Sequence, residues 1–152
     1  MNSIARGAGV ANATLYRHFP SREALILAAY EMEVDRVVDC ADQLLERLPP
    51  GEALEAWVGE LARYAMTKHG FAEALSAATA PGGELFADTY DRIVGALARM
   101  LAAAAVTEDV RADLDPHDVI LALAGLWQLD PASDWEIRAQ RLYRLVIAGL
   151  KP

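Results

Sequence analysis

The sequence predicts an all-α protein, and three features of its composition and spacing indicate this. Hydrophobic residues make up 54% of the 152 residues, and they recur at spacings of three and four along most of the chain, as on one face of a helix. Thr, Tyr and Ile are too sparse for a sheet protein. Proline and glycine fall at a few points that divide the chain into helical segments. This length fits one compact domain, or a small module fused to a larger one.

Two short helices and then a long one are predicted at the N-terminus. Residues 3–8 are helix-like, Gly9 can adopt the positive φ of a sharp turn, and Asn12 can cap a second short helix that ends near Phe19. The long helix follows with Ser21 as its N-cap. We expect its apolar stripe to continue to Leu48, before the prolines and glycine of residues 49–51.

Three further helices are predicted in the middle of the chain. The first begins at Glu52 and is expected to end near Gly70. A short apolar helix, Phe71–Ala78, and a loop at residues 80–83 come next. The third helix carries an apolar stripe over residues 86–104 and is expected to end before the threonine at position 107.

Capping signals define the last two helices. Asp115 can cap a helix with Pro116 at its first position. Ser133 and Glu136 have the spacing of a capping box, in which each side chain satisfies a backbone N–H near the start of the helix. We therefore expect one helix on each side of the proline at position 131.

These last two helices predict a dimer surface. The segment Asp118–Leu129 is apolar around nearly its whole circumference, so it needs cover on two sides, one of which is a partner. The segment Asp134–Leu150 has one apolar side and three arginines on others. We expect a homodimer formed through Leu123, Leu126, Trp127, Trp135, Leu142, Leu145, Val146 and Gly149.

The charge of the chain is divided unevenly along its length. Of its 14 lysines and arginines, three lie within residues 1–22, which contain no acidic residue. The remaining eleven and all 22 acidic residues lie beyond that point, so the net charges of the two parts are +3 and −11. A chain with a net charge of −8 therefore still has a basic end suited to an acidic partner.

The basic end has the layout of a helix-turn-helix unit, in which the second helix enters the DNA major groove. Leu15 and Phe19 would hold the two helices together. The outward-facing side chains suit DNA, since Asn and Arg can bond base edges while Tyr and His can donate to phosphates. The candidate DNA-binding residues are Ser3, Asn12, Ala13, Thr14, Tyr16, Arg17, His18 and Arg22.

Other function classes find little support in the sequence. The longest apolar run, Val119–Trp127, is too short to span a membrane, and no leader pattern is visible. The single cysteine, Cys40, cannot form an internal disulfide. No catalytic, metal-binding or phosphate-binding motif is present. We expect a cytoplasmic protein without a cofactor, a metal ion or enzymatic activity.

The segment SIARGAGVANATLYRHFPSREALILAAY resembles the DNA-binding region of the TetR family of bacterial transcriptional regulators. It covers 28 of the 152 residues, and a weaker likeness lies in the closing WQLDPASDWEIRAQRLYRLVIAGL. The matched positions are Ile4 and Ala5, Ala8 to Val10, Thr14 to Tyr16, His18 and Phe19, and Arg22 to Leu25.

The resemblance implies a partial helix-turn-helix DNA-binding unit, without its first helix, in residues 1–30 and a helical effector-binding and dimerisation domain in residues 31–152. It implies double-stranded operator DNA as a partner, and a small apolar or aromatic effector that releases a repressor from it. Each candidate pocket residue also has the plainer interpretation of a core residue, which stays open. These candidates are Trp57, Leu61, Tyr64, His69, Phe71, Phe86, Tyr90, Leu97, Met100 and Trp127.

Two departures from the family pattern affect these expectations. Ala11 stands where the family usually has a serine, so Asn12 is expected to cap in its place. The pattern also implies one more helix upstream of Ser3. The sequence, which begins at Met1, does not contain that helix, so we expect a loosened helix-turn-helix unit with weakened DNA affinity, because apolar side chains lose their cover.

Two alternatives remain open from the sequence. The first is a dimeric helical ligand-binding or interaction protein that no longer binds DNA; salt-sensitive binding to a specific duplex distinguishes it from a regulator. The second is a small enzyme built in the bundle cavity, which an isolated His69 scarcely supports.

Overall fold

A computed structural model of the chain describes residues 6, 7, 9, 12–78 and 84–152. The described helices are α1 (Asn12–His18), α2 (Arg22–Leu45), α3 (Pro50–Ala78), α4 (Glu84–Val106), α5 (Pro116–Ala122), a 3₁₀ helix (Leu123–Gln128) and α6 (Trp135–Leu150). These residues contain no strand, which confirms the all-α prediction. No helix in the described ranges is long and apolar enough to cross a membrane.

The Gly9 turn and the Ser21 cap predicted near the N-terminus are confirmed, whereas Asn12, the other predicted cap, is the first residue of α1. Gly9 has a φ of +68°, the left-handed region that glycine adopts without strain. Ser21 is the N-cap of α2, and its hydroxyl accepts a hydrogen bond from the backbone N–H of Ala24 at 3.1 Å. Helix α2 ends at Leu45, three residues earlier than predicted, and Pro50 begins α3.

The helix break predicted at Gly70 is wrong, because α3 continues without interruption to Ala78. A glycine inside a helix costs only about 1 kcal/mol relative to alanine, so packing on either side can carry the helix through it. Phe71 is half-buried and Leu75 is fully buried beyond the glycine. The loop predicted at residues 80–83 lies outside the described residues.

The cap predicted at Asp115 is confirmed, since its carboxylate accepts from the N–H of His117 at 2.8 Å. The single helix predicted over residues 118–129 is wrong, because a 3₁₀ helix follows α5. Its three residues per turn place Leu123 and Leu126 on one face, where both are buried, and Leu129, the residue after the helix, is buried as well. Apolar spacings of three and four could not separate this geometry from an α-helix.

The capping box predicted for the last helix is also wrong. The hydroxyl of Ser133 donates to the backbone carbonyl of Asp130 at 2.7 Å, and Asp134 is the N-cap of α6 without a side-chain cap bond. The Asp130 carboxylate also accepts from the N–H of Ala132 at 2.8 Å. The helix begins one residue later than the box requires, so Ser133 precedes the N-cap and Glu136 is the second helical residue.

Helix α2 is the central element of the body, with α3 on one side and α4 on another. The indole N–H of Trp57 on α3 donates to the carbonyl of Val37 on α2 at 2.8 Å, and both residues are fully buried. Asp35 and Asp42 on α2 form ion pairs with Arg92 and Arg99 on α4. The C-terminal part of α2 is therefore held from two directions. Helices α5 and α6 complete the body against α4 and α3.

Candidate functional site

Helix α1, called the reading helix below, has one inner and one outer face. Leu15 is its buried residue, and Phe19, one turn later, is half-buried; the N–H of Phe19 donates to the Leu15 carbonyl at 2.8 Å. Ser3 and the side chain of Asn12 lie outside the described residues. The exposed candidate DNA-binding residues are Ala13, Thr14, Tyr16, Arg17 and His18 on the reading helix and Arg22 at the start of α2.

The electrostatics of this end suit a polyanion. Arg6, Arg17 and Arg22 are exposed, and the first acidic residue of the chain is Glu23, in the first turn of α2. Tyr16 is 46% exposed, so part of this side chain is open to solvent. The outer face thus offers cations, hydroxyl groups and an imidazole, which are the groups that contact phosphates and base edges.

A cavity of about 280 Å³ lies in the body between α3, α4, α5 and the 3₁₀ helix. Its walls are mostly apolar and aromatic. The described lining residues are Tyr64, Lys68, Thr89, Tyr90, Ile93, Ile120, Leu121, Ala124 and Trp127. Mostly apolar walls with a few placed polar groups are typical of small-molecule sites.

Two of the residues that line this cavity are tyrosines, Tyr64 on α3 and Tyr90 on α4. The Tyr64 hydroxyl lies 2.9 Å from the hydroxyl of Tyr30 on α2, and both side chains are buried. Burial, followed by the hydrogen bond with Tyr30, raises the pKa of Tyr64 well above its ordinary value, so this phenol stays neutral. The Tyr90 hydroxyl lies 3.1 Å from Nδ1 of His117 on α5, in an exposed position.

The C-terminal helices present an exposed apolar surface. Leu121 is 72% exposed and Leu145 is 73% exposed. Leu142 on α6 is partly exposed. Its Cδ1 would lie 4.0 Å from a Cβ placed on Gly125 of the 3₁₀ helix, so α6 and the 3₁₀ helix meet here. We call Leu121, Gly125, Leu142 and Leu145 the C-terminal patch.

The comparisons with known proteins agree along the chain. A family model described as "Transcriptional regulator SbtR-like, C-terminal domain" matches residues 49–152, about two thirds of the chain. A second, described as "Bacterial regulatory proteins, tetR family", matches residues 1–29. The chain belongs to the TetR family. The resemblance noted in residues 3–30 is thereby confirmed, and the chain is a transcriptional regulator by family.

Solved TetR structures extend this likeness to the whole fold. The TetR transcriptional regulator SCO0520 from Streptomyces coelicolor is 46% identical, with a TM-score of 0.89 over 98% of this chain and 85% of that one. A TetR regulator from Mycobacterium vanbaalenii is 31% identical, with a TM-score of 0.77 over 99% and 81%. PfmR from Thermus thermophilus, at 23% identity and a TM-score of 0.66 over 97% and 87%, shares the fold. No curated protein sequence matches this chain significantly.

Three of the ten predicted pocket residues line the cavity of this TetR-family body: Tyr64, Tyr90 and Trp127. Trp57, Leu61, Leu97 and Met100 are fully buried in the core away from it, which fits the plainer interpretation. His69 is exposed and Phe71 is half-buried, and neither is among the described lining residues. The side chain of Phe86 lies outside the described residues.

Sequence reasoning missed six lining residues: Lys68, Thr89, Ile93, Ile120, Leu121 and Ala124. A partial signal was available, because Lys68 follows Tyr64 by four positions and Thr89 precedes Ile93 by four, so each pair shares a helix face. A polar residue at position 89 within an apolar stripe could have indicated a cavity wall. It is 4% exposed.

The residues predicted for the dimer interface fall into three groups. Leu142, Leu145 and Gly149 are exposed, and Trp127, Trp135 and Val146 are half-buried. Leu123 and Leu126 are buried in the core of the chain itself, at 2% and 1% exposure. They leave almost no surface for a partner, and we omit them from the interface proposed below.

Proposed function

We propose that this TetR-family chain is a homodimeric repressor that binds operator DNA through its reading helix and is released by a small apolar or aromatic effector in the cavity. The observation that carries the DNA-binding part is the exposed polar and cationic face of the reading helix. It lies in a segment of net charge +3, whereas the rest of the chain carries −11.

The proposed DNA contacts follow from this exposed face. Arg17 can bond a guanine edge or a phosphate, and Thr14 and Tyr16 can donate to phosphates. Arg22 stands at the start of α2, next to the reading helix, and supports a further phosphate contact. Leu15 anchors the helix without facing the DNA.

The proposed dimer uses the C-terminal patch together with the predicted interface residues that keep some exposure, Trp127, Trp135, Val146 and Gly149. Leu121 on α5 and Leu145 on α6 are highly exposed apolar residues, which a partner subunit would cover. A two-fold dimer places two reading helices at fixed spacing, and successive major grooves on one side of DNA lie about 34 Å apart. Dimerisation therefore determines whether both helices can bind at once.

The proposed effector is apolar or aromatic with a polar group at one end. Ile93, Ile120 and Trp127 offer apolar surface to such a molecule, while Tyr64 and Thr89 can bond its polar group. An effector acts only if it binds the DNA-incompetent arrangement more tightly than the competent one. The long helix α2 joins the reading helix to the body and is the proposed coupling element.

We also propose a boundary between the two functional parts near residue 30, inside α2. Tyr30 is the first buried residue of α2, and residues 22–29 before it are exposed or half-buried. The DNA-binding part is then residues 1–30 and the effector-binding and dimerisation part residues 31–152.

Fluorescence anisotropy of a labelled duplex from upstream of the gene tests this proposal, with titrations at two salt concentrations and with 2-naphthol as a probe effector. Phosphate contacts make the affinity fall steeply as salt rises. We expect salt-dependent binding that 2-naphthol weakens. Binding of 2-naphthol without any salt-dependent duplex binding would contradict the proposal and favour a helical ligand-binding protein that does not read DNA.

A further inference from the structure

The hydrogen bond between Tyr30 and Tyr64 joins the cavity wall to α2. Tyr64 is on α3 and lines the cavity, whereas Tyr30 is on α2 and is not among the described lining residues. Their hydroxyl oxygens are 2.9 Å apart, their ring centroids are 6.2 Å apart, and each side chain is 1% exposed. The contact is therefore dry and tightly packed.

Tyr30 occupies a particular position on α2. The buried residues of this helix are Tyr30, Val34, Val37 and Ala41. Beyond Tyr30, α2 is held by the Trp57 bond to Val37 and by the ion pairs of Asp35 and Asp42 with α4. Eight residues, or about 12 Å of helix, separate Tyr30 from the start of α2 beside the reading helix. Tyr30 is thus the buried contact of α2 nearest to the DNA-binding part.

We propose that the Tyr30–Tyr64 contact transmits occupancy of the cavity to the N-terminal part of α2 and so to the reading helix. This inference rests on the proposed ligand-binding function of the cavity and names the residues that regulate it. Tyr64 touches the ligand, and Tyr30 is a positioning residue that acts through Tyr64.

The chemistry of the two phenols supports such a link. Each phenol has one donor hydrogen, and either hydroxyl can be the donor in this pair. A ligand acceptor that receives the Tyr64 hydrogen obliges Tyr30 to donate in its place or to move. A ligand that packs against the Tyr64 ring can also shift that ring and, through the hydrogen bond, the Tyr30 side chain. Both changes act on α2 at Tyr30, where the part of the helix that is held against α3 and α4 begins.

Backbone hydrogen exchange with and without 2-naphthol tests this inference, with calorimetry to measure the affinity of the probe. In the wild-type protein we expect the probe to change exchange of the amides of residues 22–30 by about fivefold or more. Tyr30→Phe keeps the ring but removes the hydroxyl outside the cavity. It is expected to bind 2-naphthol with nearly wild-type affinity and to lose the exchange response. A merely structural role would not separate affinity from response.

Tyr90→Phe is the matched control, because it removes a cavity hydroxyl whose partner is His117 on α5 rather than a residue of α2. It should alter affinity and keep the response. If Tyr30→Phe is unstable, the double variant with Tyr64→Phe removes both hydroxyls and avoids leaving one without its partner. It should also bind without the response.

A full exchange response in Tyr30→Phe and in the double variant would overturn the inference and leave the proposed function intact. Failure of the wild-type protein to bind either 2-naphthol or naphthalene would overturn the ligand-binding function of the cavity, and the inference with it. Loss of the response in Tyr90→Phe to the same degree would contradict a specific role for the bond to α2.

Discussion

The reading helix and the body of this regulator are stabilised to very different degrees. The reading helix has seven residues, and Leu15 is the buried one among its described side chains. In water an isolated helix of that length is unstable, so its conformation depends on its neighbours. Each of the long body helices α2, α3 and α4 contributes buried side chains to a shared core. The stable body therefore holds in place a short DNA-binding helix that would not be stable by itself.

The two regions also differ in charge. The segment of residues 1–22 carries +3 and the remainder carries −11. A polyanion repels the body and attracts the N-terminal segment, so the charge distribution orients the molecule as it approaches DNA. In the proposed DNA complex, the few exposed side chains of the reading helix then meet the groove.

The largest expected effect is on the stability of the body, which the reading helix depends on. Trp57→Ala removes a fully buried indole and its bond to the Val37 carbonyl. We expect the free energy of unfolding to fall by about 3–5 kcal/mol, measured by urea denaturation. Trp135→Ala, at a half-buried position at the start of α6, is the control and should cost much less. Equal losses would show that the core does not depend on the α2–α3 contact.

A charge in the C-terminal patch is expected to separate the two subunits. Leu145→Glu places a carboxylate on a side chain that is 73% exposed in the single chain and buried in the proposed dimer. We expect a monomer by light scattering, because burying an unpaired charge is unfavourable. Met32→Glu alters a similarly exposed apolar residue on α2 and should leave the dimer intact. A Leu145→Glu protein that stays dimeric would place the interface elsewhere.

A single arginine of the reading helix is expected to affect DNA binding alone. Arg17→Ala should lower the affinity for the duplex about tenfold and reduce the slope of log K against log salt by about one. Arg111→Ala is the control, since this exposed arginine lies in the body near Asp113. Its loss should leave both quantities unchanged, and an equal effect of the two substitutions would contradict the assignment of Arg17.

Two glycines of α3 provide the smallest effects, with opposite signs. A Cβ at Gly51 would lie 2.7 Å from Cγ of Asp109, whose carboxylate accepts from the Gly51 N–H at 3.0 Å. Gly51→Ala should therefore lower stability by about 1 kcal/mol. A Cβ at Gly59 would meet no atom within 4 Å beyond its chain neighbours and the nearby backbone of its own helix, so Gly59→Ala should raise stability by up to about 1 kcal/mol. Thermal melts would reveal both; the same sign for both would contradict the packing at Gly51.

Local sequence signals predicted much of the fold and the exposed polar face of the reading helix. Gly9, Ser21 and Asp115 were identified because a turn or cap depends on one residue and its immediate neighbours. Gly70 was misjudged because the continuation of a helix through glycine depends on tertiary packing beyond it. The 3₁₀ helix was missed because its buried residues Leu123 and Leu126, with the buried Leu129 that follows it, also fit an α-helical stripe.

The cavity was less accessible to sequence reasoning than the reading helix. The resemblance implied an aromatic pocket, but apolar spacing is the same for a residue that faces the core and one that faces a cavity. Trp57 and Tyr64 lie on the same helix and are equally buried, yet only Tyr64 is among the described lining residues. Which of the two faces the cavity depends on the placement of α4 and α5, and spacing along one helix does not contain that information.

The most direct test of the division between reading helix and body is to measure two affinities, for the upstream duplex and for 2-naphthol, in Arg17→Ala and in Tyr90→Ala. The account predicts that Arg17→Ala weakens duplex binding and leaves 2-naphthol binding unchanged. It predicts that Tyr90→Ala weakens 2-naphthol binding and leaves duplex binding without the probe unchanged. If either substitution lowers both affinities together, the two functions do not reside in separate parts of the chain, and the account is contradicted.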